Sequence, residues 1–576
     1  MKTYRMIILL LTGALITACT GRERKAISEA ELSEAIRINQ LGYYTGLGKK
    51  FTLDDTTARA FLVVGENGNI VYRGKPGHEG FWEPSGEYLM SGDFSSLQRR
   101  GSYFIYVPGV GKSHPFVISD NLYHWAAVDA MRTYYFMRTG IEIEEAYGGK
   151  FSRPAGHPDD TCYYHPSSGR SGGFISSQGG WYDAGDYGKY VVNAGVAAGT
   201  LLSLYELIPD VFEDGTLNIP ESGNGVNDLL DELRFELDWI LTMQDDDGGV
   251  FHKLTPLLFD GVTMPHETFS KRFIIGKSTA ASLNAAAILA QASRLYADVY
   301  PEFSKRCLAS AKRAYAWSLL NPEEYFMNPP GVNTGGYGDR ILDEEFFWAA
   351  AELYCTTGEQ MYYDAVRAGL GNIRFRLEES WRNYVDNLGY YSLLMSGRIT
   401  GEDREILEKG VMALADKLAD RAAGNPYGIP VSRFVWGSNS DVLNTAMVQV
   451  FAWRVSGHKK YLEAAAASAD YIFGRNATGY SFVSGYGTKT SRNFHHRLLM
   501  ADDLEEPIPG YVAGGPNYQM QDRMNVRQGG ADYPSTLPAR AYIDHEGSYA
   551  SNEVCINWNA PLVFVLAALE HLQQGD

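Results

Sequence analysis

The hydrophobic pattern divides the chain into stretches of different texture. Residues 1–18, MKTYRMIILLLTGALITA, place Lys2 and Arg5 before an apolar run that ends in small residues, the layout of a secretion signal. Residues 20–34 are polar and charged and read as a tether. From Ile36 to about Ile118 short apolar runs alternate with turns. "AFLVVGENGNIVYRG" carries a hairpin signal at Asn67-Gly68, and "GSYFIYVPG" is a β-branched and aromatic run closed by Pro108-Gly109. This texture predicts a small β-sandwich over 35–118.

At Asp120 the period changes to that of a helix. "SDNLYHWAAVDAMRTYYFMRTG" opens with capping residues and stops at Gly140. Further helical segments are predicted near 188–208, 226–243, 277–298, 302–319, 341–356, 360–380, 402–420, 440–456, 458–473 and 557–572. Leu230, Leu233, Leu237 and Leu241 form one apolar stripe. The stretch 119–576 is therefore predicted to be a large, nearly all-α domain. Between its helices lie long loops rich in Gly, Pro, Asn and aromatics, at 141–187, 244–276, 421–439 and 474–556. A compact domain keeps such loops when they do something, so the chemistry is sought there.

Charge narrows the partners. Without Lys2 and Arg5 the remaining chain has 49 basic against 69 acidic residues, a net charge near −20. Such a surface repels nucleic acid and anionic lipid and leaves a neutral substrate as the easier partner. Ile16-Thr17-Ala18-Cys19 resembles a bacterial lipobox, which makes Cys19 the lipidated N-terminus of the mature protein. The expected location is the cell envelope, on the outer membrane of a Gram-negative bacterium, held by lipid alone. Cys162, Cys307, Cys355 and Cys555 are scattered without a C-x-x-C pair, so buried free thiols are expected rather than a disulfide framework.

Three loop stretches draw attention. "GGWYDAGDYGKY", Gly179 to Tyr190, sets Asp183 and Asp186 three apart on a glycine-rich turn; alone it also fits a hydrated surface loop. "SFVSGYGTKTSRNFHHR" runs from Ser481 to Arg497, and "YIDHEGSYASNEVCINWNAP" from Tyr542 to Pro561. Glu553, among Asn552, Val554, Ile556 and Trp558, has a partly apolar setting of the kind that raises a carboxyl pKa and suits a general acid. The plain alternative is that Glu553 caps the last helix. A glycan cleft also wants aromatic platforms, and Trp181, Trp436 and Trp558 are candidates.

These three stretches look like the signatures of glycoside hydrolase family 9. "INQLGYYTGLGKKFTL", Ile38 to Leu53, and "GSYFIYVPGVGKSHPFVISDNLY" resemble the immunoglobulin-like module that precedes the catalytic domain in one branch of that family. The resemblance implies an (α/α)6 barrel and inverting, internal hydrolysis of β-1,4-glucosidic bonds in cellulose, mixed-linkage glucan or xyloglucan, with no cofactor required. It assigns Asp186 as general base, Asp183 as the neighbour that holds the attacking water, and Glu553 as general acid. His495, Arg497 and Asp544 match residues lining the sugar sites, and Trp558 an aromatic beneath a sugar ring. An exo-acting β-glucosidase or glucosaminidase of the same family and a non-catalytic glycan-binding lipoprotein are the rivals; a pure binder has no use for an acid and base pair.

Metals are the loosest expectation. Relatives with the module often hold zinc through Cys-His pairs, but this chain offers only His157, Cys162 and His165 at irregular spacing, a weak zinc set. Calcium is common in the family, and "QDDDGG", Gln244 to Gly249, has hard oxygen ligands. It fits a solvated turn equally well, so no metal-ligating residues are assigned. Cys555 stands where the family usually has a smaller residue such as Ala.

Overall fold

The fold is described from a computed structural model over residues 23–371 and 385–573. Cys19 and the signal stretch lie outside these residues.

The first module is a sandwich of two sheets. One orders the strands Ile36–Arg37, Lys50–Leu53, Glu87–Asp93 and Gly77–Trp82. The other orders Gly42–Tyr44, Phe116–Ser119, Gly101–Val107, Phe61–Gly65 and Ile70–Gly74, with Gly111–Lys112 beside Gly101–Val107. The hairpin forms where Asn67-Gly68 signals it, with Gly68 at φ +75°. Phe51 and Phe61 meet edge to face at 4.9 Å in the core between the sheets.

Twelve helices of ten residues or more follow among the described residues: α1 (His124–Met137), α2 (Val191–Leu207), α3 (Asp228–Thr242), α4 (Thr279–Leu295), α5 (Pro301–Leu320), α6 (Asp343–Thr357), α7 (Gln360–Leu370), α8 (Asp386–Met395), α9 (Gly401–Ala423), α10 (Ser438–Ser456), α11 (Lys459–Ile472) and α12 (Ile556–Leu572). They alternate between two rings. The even-numbered helices are buried around most of their circumference, and in α12 every residue from Ile556 to Glu570 is buried. The odd-numbered ones have one apolar face; in α3, Leu230, Leu233 and Leu237 are buried while Arg234 and Asp238 reach solvent. The last helix, α12, packs against α1, α2 and α10 and closes the ring. Such rings place their functional loops at the mouth where each outer helix hands over to the next inner one.

Two expectations need correction. Helix α8 was not anticipated, because Asn387 and Gly389 weaken the helical pattern. The glycine serves packing: a Cβ on Gly389 would lie 3.1–3.2 Å from Phe347, Trp348 and Ala351 of α6. The stretches 141–187 and 244–276 are not plain loops. They supply four strands of a five-stranded sheet, ordered Phe174–Ile175, Cys162–Tyr164, Phe273–Lys277, Phe251–Thr255 and Lys189–Tyr190. Strands of two to five residues are too short to show a period. The segment predicted at 360–380 is helical over Gln360–Leu370, and 372–384 lies outside the described residues. Cys162, Cys307, Cys355 and Cys555 are buried free thiols.

Candidate active site

The glycine-rich turn is stitched to two distant segments by backbone. Asp183 N–H donates to Gly188 O at 3.0 Å, and Ile556 N–H donates to Asp183 O at 2.9 Å. Arg497 donates to Gly185 O twice, from its backbone N–H at 3.1 Å and from Nη1 at 2.7 Å. A Cβ on Gly185 would sit 2.4 Å from His495 O and 3.0 Å from Glu553 Oε1. Only a glycine lets the turn, the 495–497 segment and Glu553 meet this closely.

Trp181, read as a possible sugar platform, is instead a fully buried anchor for the turn. Its indole N–H donates to Glu232 at 2.9 Å and its backbone N–H to Glu236 at 2.6 Å, both on α3.

Each aspartate is held by its own donors. Asn193 Nδ2 and Tyr337 O–H donate to Asp183 at 2.5 and 2.6 Å. Gly188 N–H and Tyr190 O–H each donate to Asp186 Oδ2 at 3.0 Å. Burial first, and the charge of Asp186 second, push Asp183 well above the usual carboxylate range, against the pull of its two donors. Glu553 is half-buried, does not cap α12 (Cys555 precedes that helix), and is raised by burial, then by Asp186 and Asp183. Arg497 and the Gly185 N–H pull it back.

Sequence reasoning missed the residues behind this pair. Lys253 is buried, and its Nζ donates to Gly335 O at 2.6 Å, Asn328 Oδ1 at 2.7 Å and Thr334 Oγ1 at 2.9 Å. Burial lowers its pKa to about 7. Gly335 N–H donates to Tyr190 O–H at 3.0 Å. One lysine thus clamps the 334–337 loop, which brings Tyr337 to Asp183 and braces Tyr190 on Asp186.

Glu553 opens into a cleft of about 550 Å³ lined also by Phe259, Tyr337, Trp436, Cys555 and Trp558. The Trp558 ring is wedged against Gly437 and Gly514, where a Cβ would come within 2.8 and 3.0 Å. Trp436 is half-exposed beside Tyr549 at 5.5 Å, and Tyr549 meets His495 at 5.9 Å. His495 Nδ1 donates to Glu546 O at 2.7 Å, and burial lowers its pKa, which favours the neutral imidazole.

Two residues expected to line the sugar sites also brace the loops around them. Arg497 donates to Gly185 O and, through Nε, to Asp260 O at 2.8 Å. Asp544 accepts from the N–H groups of Arg492 and Asn493 at 3.0 and 2.8 Å and from Asn552 Nδ2 at 3.1 Å, and it faces a separate cleft with Tyr480 and Tyr542. Cys555 Sγ accepts from Asn193 Nδ2 at 3.2 Å, so the bulk of its sulfur falls beside Asp183.

In "QDDDGG" the acids are taken up by cations: Asp245 is paired with Arg170 and Lys277, and Asp247 with Lys277. His157 is bonded through its two ring nitrogens to Tyr182 and Thr268, and Cys162 S–H donates to Asp159 O. Although the sequence suggests no metal ligands, Asp339, Glu344 and Glu345 are all buried with carboxylate oxygens within 4.8 Å of one another. Both carboxylate oxygens of Glu345 lack a hydrogen-bond partner, and mutual repulsion adds to the burial that raises its pKa. Such an all-oxygen set fits a hard cation.

An acid in an aromatic cleft, backed by two buried aspartates across Gly185, at the mouth of a double helical ring defines a glycoside hydrolase. The profile described as glycosyl hydrolase family 9 matches residues 123–566, and that of a cellulase N-terminal ig-like domain matches 31–112. The chain belongs to glycosyl hydrolase family 9 and is a hydrolase of the cellulase type. It is 40% identical to a xyloglucan-specific endo-β-1,4-glucanase of Bacteroides ovatus, over 99% of each chain. It is 33% identical to endoglucanase D of Acetivibrio thermocellus, over 98% of this chain and 86% of that protein. A solved Bacteroides ovatus family 9 structure superposes with a TM-score of 0.86 at 39% identity, covering 94% of this chain and 99% of that one.

Proposed function

We propose that the protein cleaves β-1,4-glucosidic bonds within xyloglucan, with inversion. The observation that carries the mechanism is the meeting of Glu553 with the Asp183/Asp186 turn across Gly185. Glu553, kept protonated by burial and by its acidic neighbours, gives its proton to the leaving glycosidic oxygen as the C–O bond breaks. A water held by Asp186 and Asp183 attacks the anomeric carbon from the other face, and Asp186 takes its proton. Trp558 and Trp436 offer ring faces to sugar C–H faces, and the neutral His495 a hydrogen bond to a hydroxyl. The similarity to a xyloglucan-specific enzyme over nearly the whole of both chains supports the substrate.

Inversion requires that fresh reducing ends from a β-linked glucan appear first as the α-anomer. Proton NMR of the first products tests this; the β-anomer first would overturn the inverting assignment and Asp186 as base. Asp339, Glu344 and Glu345 are further assigned to a structural calcium, checked by a fall in melting temperature on chelation. Cys19 is assigned as the lipid attachment site that holds the enzyme on the outer membrane. Equal retention of Cys19→Ala and parent protein in the membrane fraction would refute it.

A further inference from the structure

We infer that the sugar-binding surface does not end at the cleft but continues outward along an aromatic ribbon, Phe259, Phe269, Tyr163 and Phe174, that carries the glucan chain beyond the cleaved bond. The inference rests on the β-glucan reading of the cleft. Phe259 lines the cleft with Glu553 and is 45% exposed, with the Arg497 guanidinium 5.1 Å over its ring. Its neighbour Asp260 accepts a hydrogen bond from Ser270 Oγ at 2.5 Å. That bond folds the loop back on itself, and Phe269, one residue before Ser270, is 91% exposed. Lys271 Nζ then lies 5.2 Å over the ring of Tyr163, on the small sheet, and Tyr163 meets Phe174 edge to face at 6.3 Å. Tyr163 and Phe174 are opposite each other in register and are 37% and 61% exposed.

Large exposed rings on ordered strands and a braced loop mark a contact surface. A polysaccharide is the occupant because the ribbon starts inside the cleft and its rings alternate with Asp260, Ser270 and Lys271. Ring faces among polar groups match sugar C–H faces and hydroxyl edges. A net charge of −18 works against a second copy of the chain.

The test compares the full chain with the double variant Phe174→Ala/Phe269→Ala, on polymeric xyloglucan and on cellotetraose, a short oligosaccharide that fits within the cleft. KM for the polymer should rise about two- to tenfold per ring removed, with kcat unchanged and the tetrasaccharide constants within about twofold. Migration in a gel containing xyloglucan should show the same weakening without reference to catalysis. Unchanged KM and migration on the polymer would overturn the inference. So would an equal rise on both substrates, which would mean that the rings act through the cleft's fold, or a parent dimer that the variant dissolves by light scattering. A parent that cleaves the tetrasaccharide upholds the cleft reading whatever the ribbon does; a parent inert on both substrates and unretarded in the gel fells both.

Discussion

Asp159 and Asp183 lie on the same stretch between α1 and α2, both buried, and their acidities move in opposite directions. Burial pushes Asp159 up, but Arg272 Nε and Lys189 Nζ, each 2.8 Å from its carboxylate, overcome that and hold it below the usual range. Asp183 has only neutral donors, and burial together with Asp186 raises it. Glu553 follows Asp183: Arg497 is near enough to pull, but its N–H groups go to backbone carbonyls. Pairing with a cation makes a buried carboxylate a structural strut. Withholding the cation keeps it able to hold and release a proton at working pH.

The sharpest test is removal of the proton carriers. Glu553→Gln should lower kcat on polysaccharide by about 10² to 10⁴-fold while sparing more activity on aryl glycosides, whose leaving group departs unaided. Asp186→Asn should harm both substrates, as steady-state rates on the two will show. Next comes the strut. Asp159→Asn leaves Lys189 and Arg272 buried without a counter-charge and should destabilise the fold by about 3–5 kcal/mol, read by calorimetry. Asp183→Asn, by contrast, should leave the melting temperature unchanged or higher while activity collapses; equal destabilisation of the two variants would break the comparison.

Lys253 probes the brace. Lys253→Met should cut kcat about tenfold, because Tyr337 and Tyr190 lose their footing on the aspartates, with a smaller rise in KM because the same loop lines the cleft. A proportional rise in KM would instead assign Lys253 to substrate binding.

The smallest effect is in pH dependence. A folded chain that keeps protons on Asp183 and Glu553, which an unfolded chain releases from about pH 4, binds more protons than its unfolded state, so stability falls as pH rises through that window. Asp183→Asn should flatten this fall between about pH 5 and 8 in thermal melts. Asp159, lowered in the fold, adds stability above about pH 4 that is lost on acidification, so Asp159→Asn should blunt the acid end instead.

Local periodicity and the three motif stretches made the sandwich, most helices and the residues around Gly185 legible in the sequence. What remained hidden depends on contacts. "NPPGVNTGGYGD" reads as a loop and nothing more, because Tyr337 acquires its meaning only from Asp183, far away in the chain, and from Lys253, which sits on a strand too short to recognise. Trp181 looks like any loop aromatic until Glu232 and Glu236 of α3 close over it. Asp544 and Arg497 carry the right residue types, but their hydrogen bonds to distant backbone are not readable from the sequence.

The position of α12 ties activity to the closing of the ring. Its inner face closes the helical ring onto α1 and α2, and Glu553 lies just before its first residue. The general acid is therefore delivered by the same segment that seals the core. A chain in which α12 has come away from the ring can hold Asp183 and Asp186 without its general acid, so hydrolysis is lost together with closure of the core.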